Sequence, residues 1–237
     1  MVTEAVILAG GLGTRLRGAL PGLPKAMAPI AGRPFLAYLL EFLQAGGIQR
    51  VVLAVGYRHE AIRDFFGSQF AGLELVYSLE QEPLGTGGAF AQALPQIQGE
   101  FAFVLNGDTF LRIDYRAFAE VLHFEPRPLL AVALRRVADA SRYGAVVVKD
   151  GCIRGFTARG LAGPGLINAG CYLVSRDIFE RYPMPDKFSW ETDFLEARTA
   201  ELEPRAFQCD VPFIDIGVPD ALAEAQTLVP EWVNTAA

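Results

Sequence analysis

Histidine, tryptophan and cysteine are scarce in this chain of 237 residues, with two, two and three copies respectively. Cys152, Cys171 and Cys209 are odd in number, far apart and without a CxxC pair. That argues against a disulfide framework or a cysteine zinc site, and leaves free thiols in a reducing cytoplasm as the expectation. His59 and His123 fall at the start and near the end of expected helices, with nothing to place either on a metal or a nucleophile. An excess of basic charge is also missing. The net charge is −6, with no basic stripe, so a nucleic-acid surface is not expected. No apolar run approaches the roughly 20 residues that a membrane span requires. The opening MVTEAVILAGG lacks a basic region and a small-residue cleavage site, so it reads as a first strand and not as a signal peptide. Repeats, low-complexity tracts and an obvious linker are absent as well.

What is present is an alternation of short apolar runs with helical patterns. Glu4–Ala9, Arg50–Val55, Leu73–Ser78 and Phe101–Asn106 read as strands, three of them continuously apolar, as strands buried on both faces are. Pro34–Ala45, His59–Phe66 and Gly87–Leu94 carry apolar residues at helical spacing. This order predicts an α/β protein with a largely parallel sheet covered by helices. After about residue 125 strands dominate: Leu129–Val137, Gly144–Val148, Ile167–Val174, Pro204–Cys209 and one ending at Gly217, then a helix over Pro219–Leu228. The second half is expected to extend the same sheet. The chain is read as one domain, residues 1–237, with a first part to about 125 and a second from about 126.

Directly after the first strand comes LAGGLGTRLRGALPGLPKAMAPI, Leu8–Ile30. Glycines at Gly10, Gly11 and Gly13 allow backbone N–H groups to approach an anion closely. The stretch lacks the Lys-Ser or Lys-Thr of a P-loop, and Leu16 stands where a dinucleotide fingerprint needs its third glycine. What remains is GGLGTR, followed by Pro24-Lys25. Arg15 offers a planar fork for phosphate oxygens, and Lys25 a compact charge for a transferring phosphoryl group.

These residues resemble the signature of the sugar-1-phosphate nucleotidyltransferases, and further segments continue the resemblance in order: EQEPLGTGGA, LNGDTF, RYGAVVV, INAGCYL, FSWETDFLE and FIDIGVPDAL. It implies a Rossmann-like, glycosyltransferase-A-type, three-layer α/β/α fold with a mixed, mostly parallel central sheet. It also implies nucleotide contacts from Leu8, Ala9, Gly10, Gly11, Gly13, Thr14, Glu82, Gly87 and Asp108. A carboxylate at Glu82 would suit guanine, whose N1–H and N2–H are neighbouring donors, better than uracil or thymine. Sugar-phosphate contacts fall to Tyr143, Gly144, Arg159, Asn168 and Glu191. Arg159 follows Ala158 where the family commonly has Glu-Lys, so the phosphate contact there has a different geometry. Asp108 and Asp215 are implied as ligands of one Mg²⁺, a hard cation that takes one or two carboxylates plus phosphate oxygens.

The implied reaction is attack of a sugar 1-phosphate oxygen on the α-phosphorus of an NTP, with pyrophosphate leaving. Arg15, Lys25 and Asp108 are the expected catalytic residues: Arg15 on the pyrophosphate, Lys25 on the α-phosphate, Asp108 on the metal. Within the family the chain looks most like guanylyltransferases acting on D-glycero-D-manno-heptose 1-phosphate. The expected partners are therefore GTP and that sugar phosphate, and the product a GDP-heptose for surface glycans. It stops soon after FIDIGVPDAL, so no acetyltransferase-type β-helix is expected. A mannose 1-phosphate guanylyltransferase, a uridylyl- or thymidylyltransferase, and a non-catalytic nucleotide-sugar-binding protein stay open at this point, as does a homo-oligomer. A glycosyltransferase is disfavoured, because Asn106-Gly107-Asp108 lacks the first acid of a D-x-D motif.

Overall fold

The computed structural model describes residues 1–11, 22–160 and 162–235. The strands in chain order are β1 (Glu4–Leu8), β2 (Pro29–Ile30), β3 (Arg33–Pro34), β4 (Arg50–Val55), β5 (Gln69–Phe70), β6 (Leu73–Leu79) and β7 (Phe101–Asn106). There follow β8 (Thr109–Leu111), β9 (Leu130–Val137), β10 (Val146–Lys149), β11 (Cys152–Phe156), β12 (Gly165–Ser175), β13 (Arg205–Cys209) and β14 (Phe213–Asp215). The α-helices are α1 (Phe35–Ala45), α2 (His59–Phe66), α3 (Gly85–Ala93), α4 (Tyr115–Ala119), α5 (Ile178–Arg181), α6 (Thr199–Leu202) and α7 (Pro219–Asn234). A wider π-type turn spans Trp190–Glu196.

Ten strands form one sheet in the order β10-β11-β13-β9-β12-β7-β1-β4-β6-β5. Only β5, β11 and β12 run against the others, so the sheet is mixed and mostly parallel. The central strands are apolar on both sides because both sides are covered. Ala5, Ile7, Val51, Leu53, Phe103 and Leu105 join one buried cluster with α1 and α7. Their alternate neighbours Val6, Val52, Ala54, Ala102 and Val104 join a second with α3 and the turn at Trp190–Glu196. The period-two alternation of strand side chains thus produces three layers.

The second half does extend the first-half sheet, through β9 to β13. One expected strand differs: Phe213–Asp215 leaves the main sheet and pairs antiparallel with β8. The strand Cys152–Phe156 is an addition to the pattern predicted from apolar runs, and the preceding Asp150-Gly151 has positive φ at both residues, 54° and 72°. That dipeptide is a turn signal between two short strands. Helix α7 continues beyond Leu228 to Asn234, burying Val229 and setting Trp232 against Phe110 at 6.0 Å.

Gly107 positions the site most directly. Its N–H donates to the Leu8 carbonyl at 3.0 Å, closing β7 onto the end of β1. A Cβ on Gly107 would lie 2.7 Å from that same oxygen. Gly107→Ala should therefore destabilise the fold by about 1–3 kcal/mol, the usual range for overpacking against backbone. Urea unfolding of the two proteins checks this, and an unchanged midpoint would mean that β1 and β7 are not held so closely.

Candidate active site

β1 and β7 are parallel neighbours, with Leu8 opposite Asn106, so their carboxyl ends open at one edge. Ligands in open α/β sheets collect at such an edge. Asp108 lies just past β7. The β8–β14 ladder sets Asp215 opposite Thr109, and the Ile216 N–H donates to the Asp108 carbonyl at 3.0 Å. Two acids separated by half the chain are thereby brought together. Between them stands Lys25, at the start of a one-turn helix over Lys25–Met27. Its ammonium pairs with Asp108 and lies 3.8 Å from Asp215 Oδ1. Asp215 Oδ1 accepts from the Gly217 N–H at 2.7 Å, and Asp215 Oδ2 from Arg142 Nη2 at 2.8 Å. The result is a row of alternating charge, part-buried at Asp108, Lys25 and Asp215 and exposed at Arg142.

Two cavities meet at this row. One, of about 330 Å³, is lined by Leu8, Ala9, Gly10, Gly11, Ala26, Glu80, Pro83, Gly85 and Thr86, among others. The second, of about 200 Å³, is lined by Arg142, Tyr143, Gly144, Arg159, Asn168, Glu196 and Asp215, among others. Lys25, Asn106, Asp108 and Glu191 line both. Leu8, Ala9, Gly10, Gly11 and Asp108 thus come together in the first, and Tyr143, Gly144, Arg159, Asn168, Glu191 and Asp215 in the second. Gly13, Thr14 and Arg15 lie outside the described residues.

Two expected nucleotide contacts do not line the first cavity, and the reason is local geometry. β6 ends at Leu79, and by Glu82 the chain has turned outward, leaving that side chain exposed. Glu80, immediately after the strand, takes the inward place. Its carboxylate accepts from the Leu84 N–H at 3.0 Å and abuts Gly10. Gly87 faces the other way, where a Cβ would fall 2.2 Å from the Phe188 ring. Its absent side chain makes room for Phe188, while Gly85, with φ of +75°, turns the chain at the rim. Glu80 stands one residue past the carboxyl end of a strand, where ligands of open α/β sheets collect.

In the second cavity the carboxyl group of Glu196 is raised by burial and then by Glu191, against a lowering by Arg159. Burial also raises the Tyr143 hydroxyl, whose ring meets Phe213 edge-on at 5.8 Å. Arg142 and Glu196 were not anticipated from the sequence. His59, which contacts the Gly56 carbonyl at 3.3 Å, and His123, beside Glu120, line neither cavity. The three cysteines are free, with the Cys209 thiol pushed up to about 11 by burial.

The donor set bears on a metal. Among the described residues no cluster of three or more Asp, Glu, His or Cys side chains could hold an ion by itself. Asp108 and Asp215 both reach one ammonium, so they converge on a volume that a small cation could share. Two carboxylates completed by phosphate oxygens and water fit Mg²⁺ and do not fit a structural zinc site. Among the described residues no helix is long and apolar enough to cross a membrane.

The family model described as Nucleotidyl transferase matches residues 4–231. A D-glycero-alpha-D-manno-heptose 1-phosphate guanylyltransferase of Aneurinibacillus thermoaerophilus is 41% identical over 230 residues, 97% of this chain and 100% of the relative. The protein of the same description from Campylobacter jejuni is 43% identical over 218 residues, 92% of this chain and 96% of the relative. The crystal structure of HddC from Yersinia pseudotuberculosis, 37% identical, superposes with a TM-score of 0.84 over 95% of this chain and 98% of that one. That protein has also been solved complexed with GMP-PN.

Burial raises the Glu80 carboxyl above its ordinary value, against a lowering by the Leu84 N–H. Ionisation therefore weighs against the folded state. The protonated group's contribution is complete below the ordinary carboxylate value and is lost as pH rises through the raised one. Glu80→Gln should accordingly gain stability relative to the parent as pH goes from about 4 to about 7. Paired melting curves test this, and a pH-independent difference would show that the carboxyl is not desolvated.

Proposed function

Because the chain belongs to the nucleotidyl transferase family, we propose that it transfers GMP from GTP to D-glycero-α-D-manno-heptose 1-phosphate, yielding GDP-heptose and pyrophosphate. The observation that carries this is the pair of cavities sharing Lys25, Asn106, Asp108 and Glu191. A group transfer between two bound molecules needs two adjoining sites with the charged machinery at their border.

GTP occupies the glycine-lined cavity. Glu80, whose Oε2 already accepts from the Leu84 N–H, accepts from guanine N1–H and N2–H, neighbouring donors that suit a carboxylate. Backbone N–H groups of the Gly10–Gly11 segment face the phosphates, and Arg15, on the sequence resemblance, holds the departing pyrophosphate. The sugar 1-phosphate occupies the second cavity, its hydroxyls on Asn168, Glu191 and the Tyr143–Gly144 segment, and its phosphate toward Arg159 and Lys25. One phosphate oxygen attacks the α-phosphorus in line, and the bond to pyrophosphate breaks. No covalent intermediate with the protein forms. Lys25 at the border stabilises negative charge as it builds on the α-phosphate. Asp108 and Asp215 are the residues that would hold Mg²⁺, which when bound neutralises phosphate charge. The three free thiols suit a reducing cytoplasm, and the product suits a donor for surface glycans.

Pyrophosphate release across GTP, UTP, dTTP, CTP and ATP, each paired with heptose, mannose, glucose and N-acetylglucosamine 1-phosphates, tests the reading. Turnover confined to GTP and the heptose phosphate is expected, whereas preference for mannose 1-phosphate would reassign the sugar. Lys25→Ala and Asp108→Asn should each lower kcat by about 10²–10³ with the fold retained by circular dichroism. Near-normal turnover in either would remove that residue from the chemistry. Glu80→Gln should weaken GTP use by about 10–100-fold, the value of a charge-assisted contact, and narrow the gap to UTP. An unchanged GTP-to-UTP ratio would take Glu80 off the base.

A further inference from the structure

Tyr172 is fully buried on β12 and has no part in the chemistry above. Its ring packs edge-on against Trp190, with centroids 5.5 Å apart. Its hydroxyl accepts from Asn168 Nδ2 at 2.9 Å and donates to Glu191 Oε1 at 3.1 Å. Asn106 Nδ2 donates to the same oxygen at 3.4 Å. Glu191 Oε1 is thus held by donors from β12 and β7, while Oε2 has no hydrogen-bond partner among the described residues.

The backbone is arranged around this contact. The β9–β12 register shifts between Asn168 and Tyr172, a bulge. Within it Gly170 has φ of +65°, and a Cβ there would fall 2.8 Å from Asn106 Nδ2. The Gly170 N–H donates to Asn168 Oδ1 at 3.0 Å, so that both ends of the Asn168 amide are engaged inside the protein. A bulge of this kind re-aims side chains beside a site. Here it sets the tyrosine hydroxyl between two residues that line the second cavity.

We propose that Tyr172 is a positioning residue for the sugar 1-phosphate: by fixing Glu191 Oε1 it presents Oε2 to the sugar hydroxyls. The proposal rests on reading the second cavity as the sugar site. A glutamate has three side-chain torsions, and an unrestrained carboxylate would have to be ordered at each binding event. The tyrosine does that ordering in advance. Burial holds its hydroxyl well above the ordinary tyrosine value, so it remains a donor throughout the working pH range.

Tyr172→Phe keeps the ring and removes the hydroxyl. KM for the sugar 1-phosphate should rise about tenfold, while KM for GTP stays within about twofold. The Tyr172→Phe/Glu191→Gln double variant should be no worse than Glu191→Gln alone, because the tyrosine acts through the glutamate. In the ligand-free protein the Asn168 side-chain amide should exchange with solvent faster once its acceptor is gone. Should Tyr172→Phe fail to fold, 3-fluorotyrosine at the same position alters hydroxyl acidity with packing nearly unchanged. It should shift the sugar-phosphate KM alone. Equal changes in both KM values, fully additive losses in the double variant, or unaltered Asn168 exchange would each overturn the assignment. A wild-type protein inert with every nucleotide and sugar phosphate would overturn the functional reading, and this assignment with it. An active wild type with an indistinguishable Tyr172→Phe would overturn the assignment alone.

Discussion

The ammonium of Lys25 lies between the carboxylates of Asp108 and Asp215, and the placement of that cation depends on two strand pairings and one short helix. β1 against β7 brings the glycine segment beside Asp108, β8 against β14 brings in Asp215, and the one-turn helix after Pro24 delivers the lysine. Two carboxylates that face one another repel, and the cation between them offsets that repulsion. Arg142 on the far side of Asp215 extends the same compensation.

That constraint explains why the site stands where two cavities join. A charge row at the open ends of β1 and β7 is reachable from both sides: from the glycine turn and Glu80, and from the β12 bulge and the turn at Trp190–Glu196. Among the described residues the second cavity presents four carboxylates and three cations. Net charge therefore cannot draw in a phosphate, and recognition falls to local pairing with Lys25, Arg142 and Arg159. The same balance leaves carboxylate oxygens free for hydroxyl groups, which suits a ligand that is acidic at one end and polyhydroxylated at the other.

The strands that support this arrangement differ in how plainly they can be read. β1, β4 and β7 are buried on both faces and therefore spell out continuous apolar runs. β11 is short, and Arg154 interrupts its apolar pattern, so only the Asp150-Gly151 turn betrays it. β14 has strand-like residues, but its partner β8 is a three-residue strand with no signal of its own. Composition cannot say which strand a short segment will join, because pairing is chosen by chain geometry across a hundred residues.

By itself the sequence determined the layered α/β architecture, through the alternation of apolar runs and helical periods. It also determined which residue types could handle phosphate, through Gly10, Gly11, Lys25 and Asp108 and the order of the later motifs. Those features are local, and a short window contains the physics that produces them. Only the tertiary structure set Glu80 inward and Glu82 outward, turned Gly87 toward Phe188 and away from the cavity, and joined Asn168, Tyr172 and Glu191 in one network. Two glutamates two positions apart have the same chemistry. Which one faces inward depends on where the strand stops and the chain turns, and that is set by contacts with Gly10, Gly56 and the Leu84 backbone, all outside the motif's own local pattern or folded back onto it.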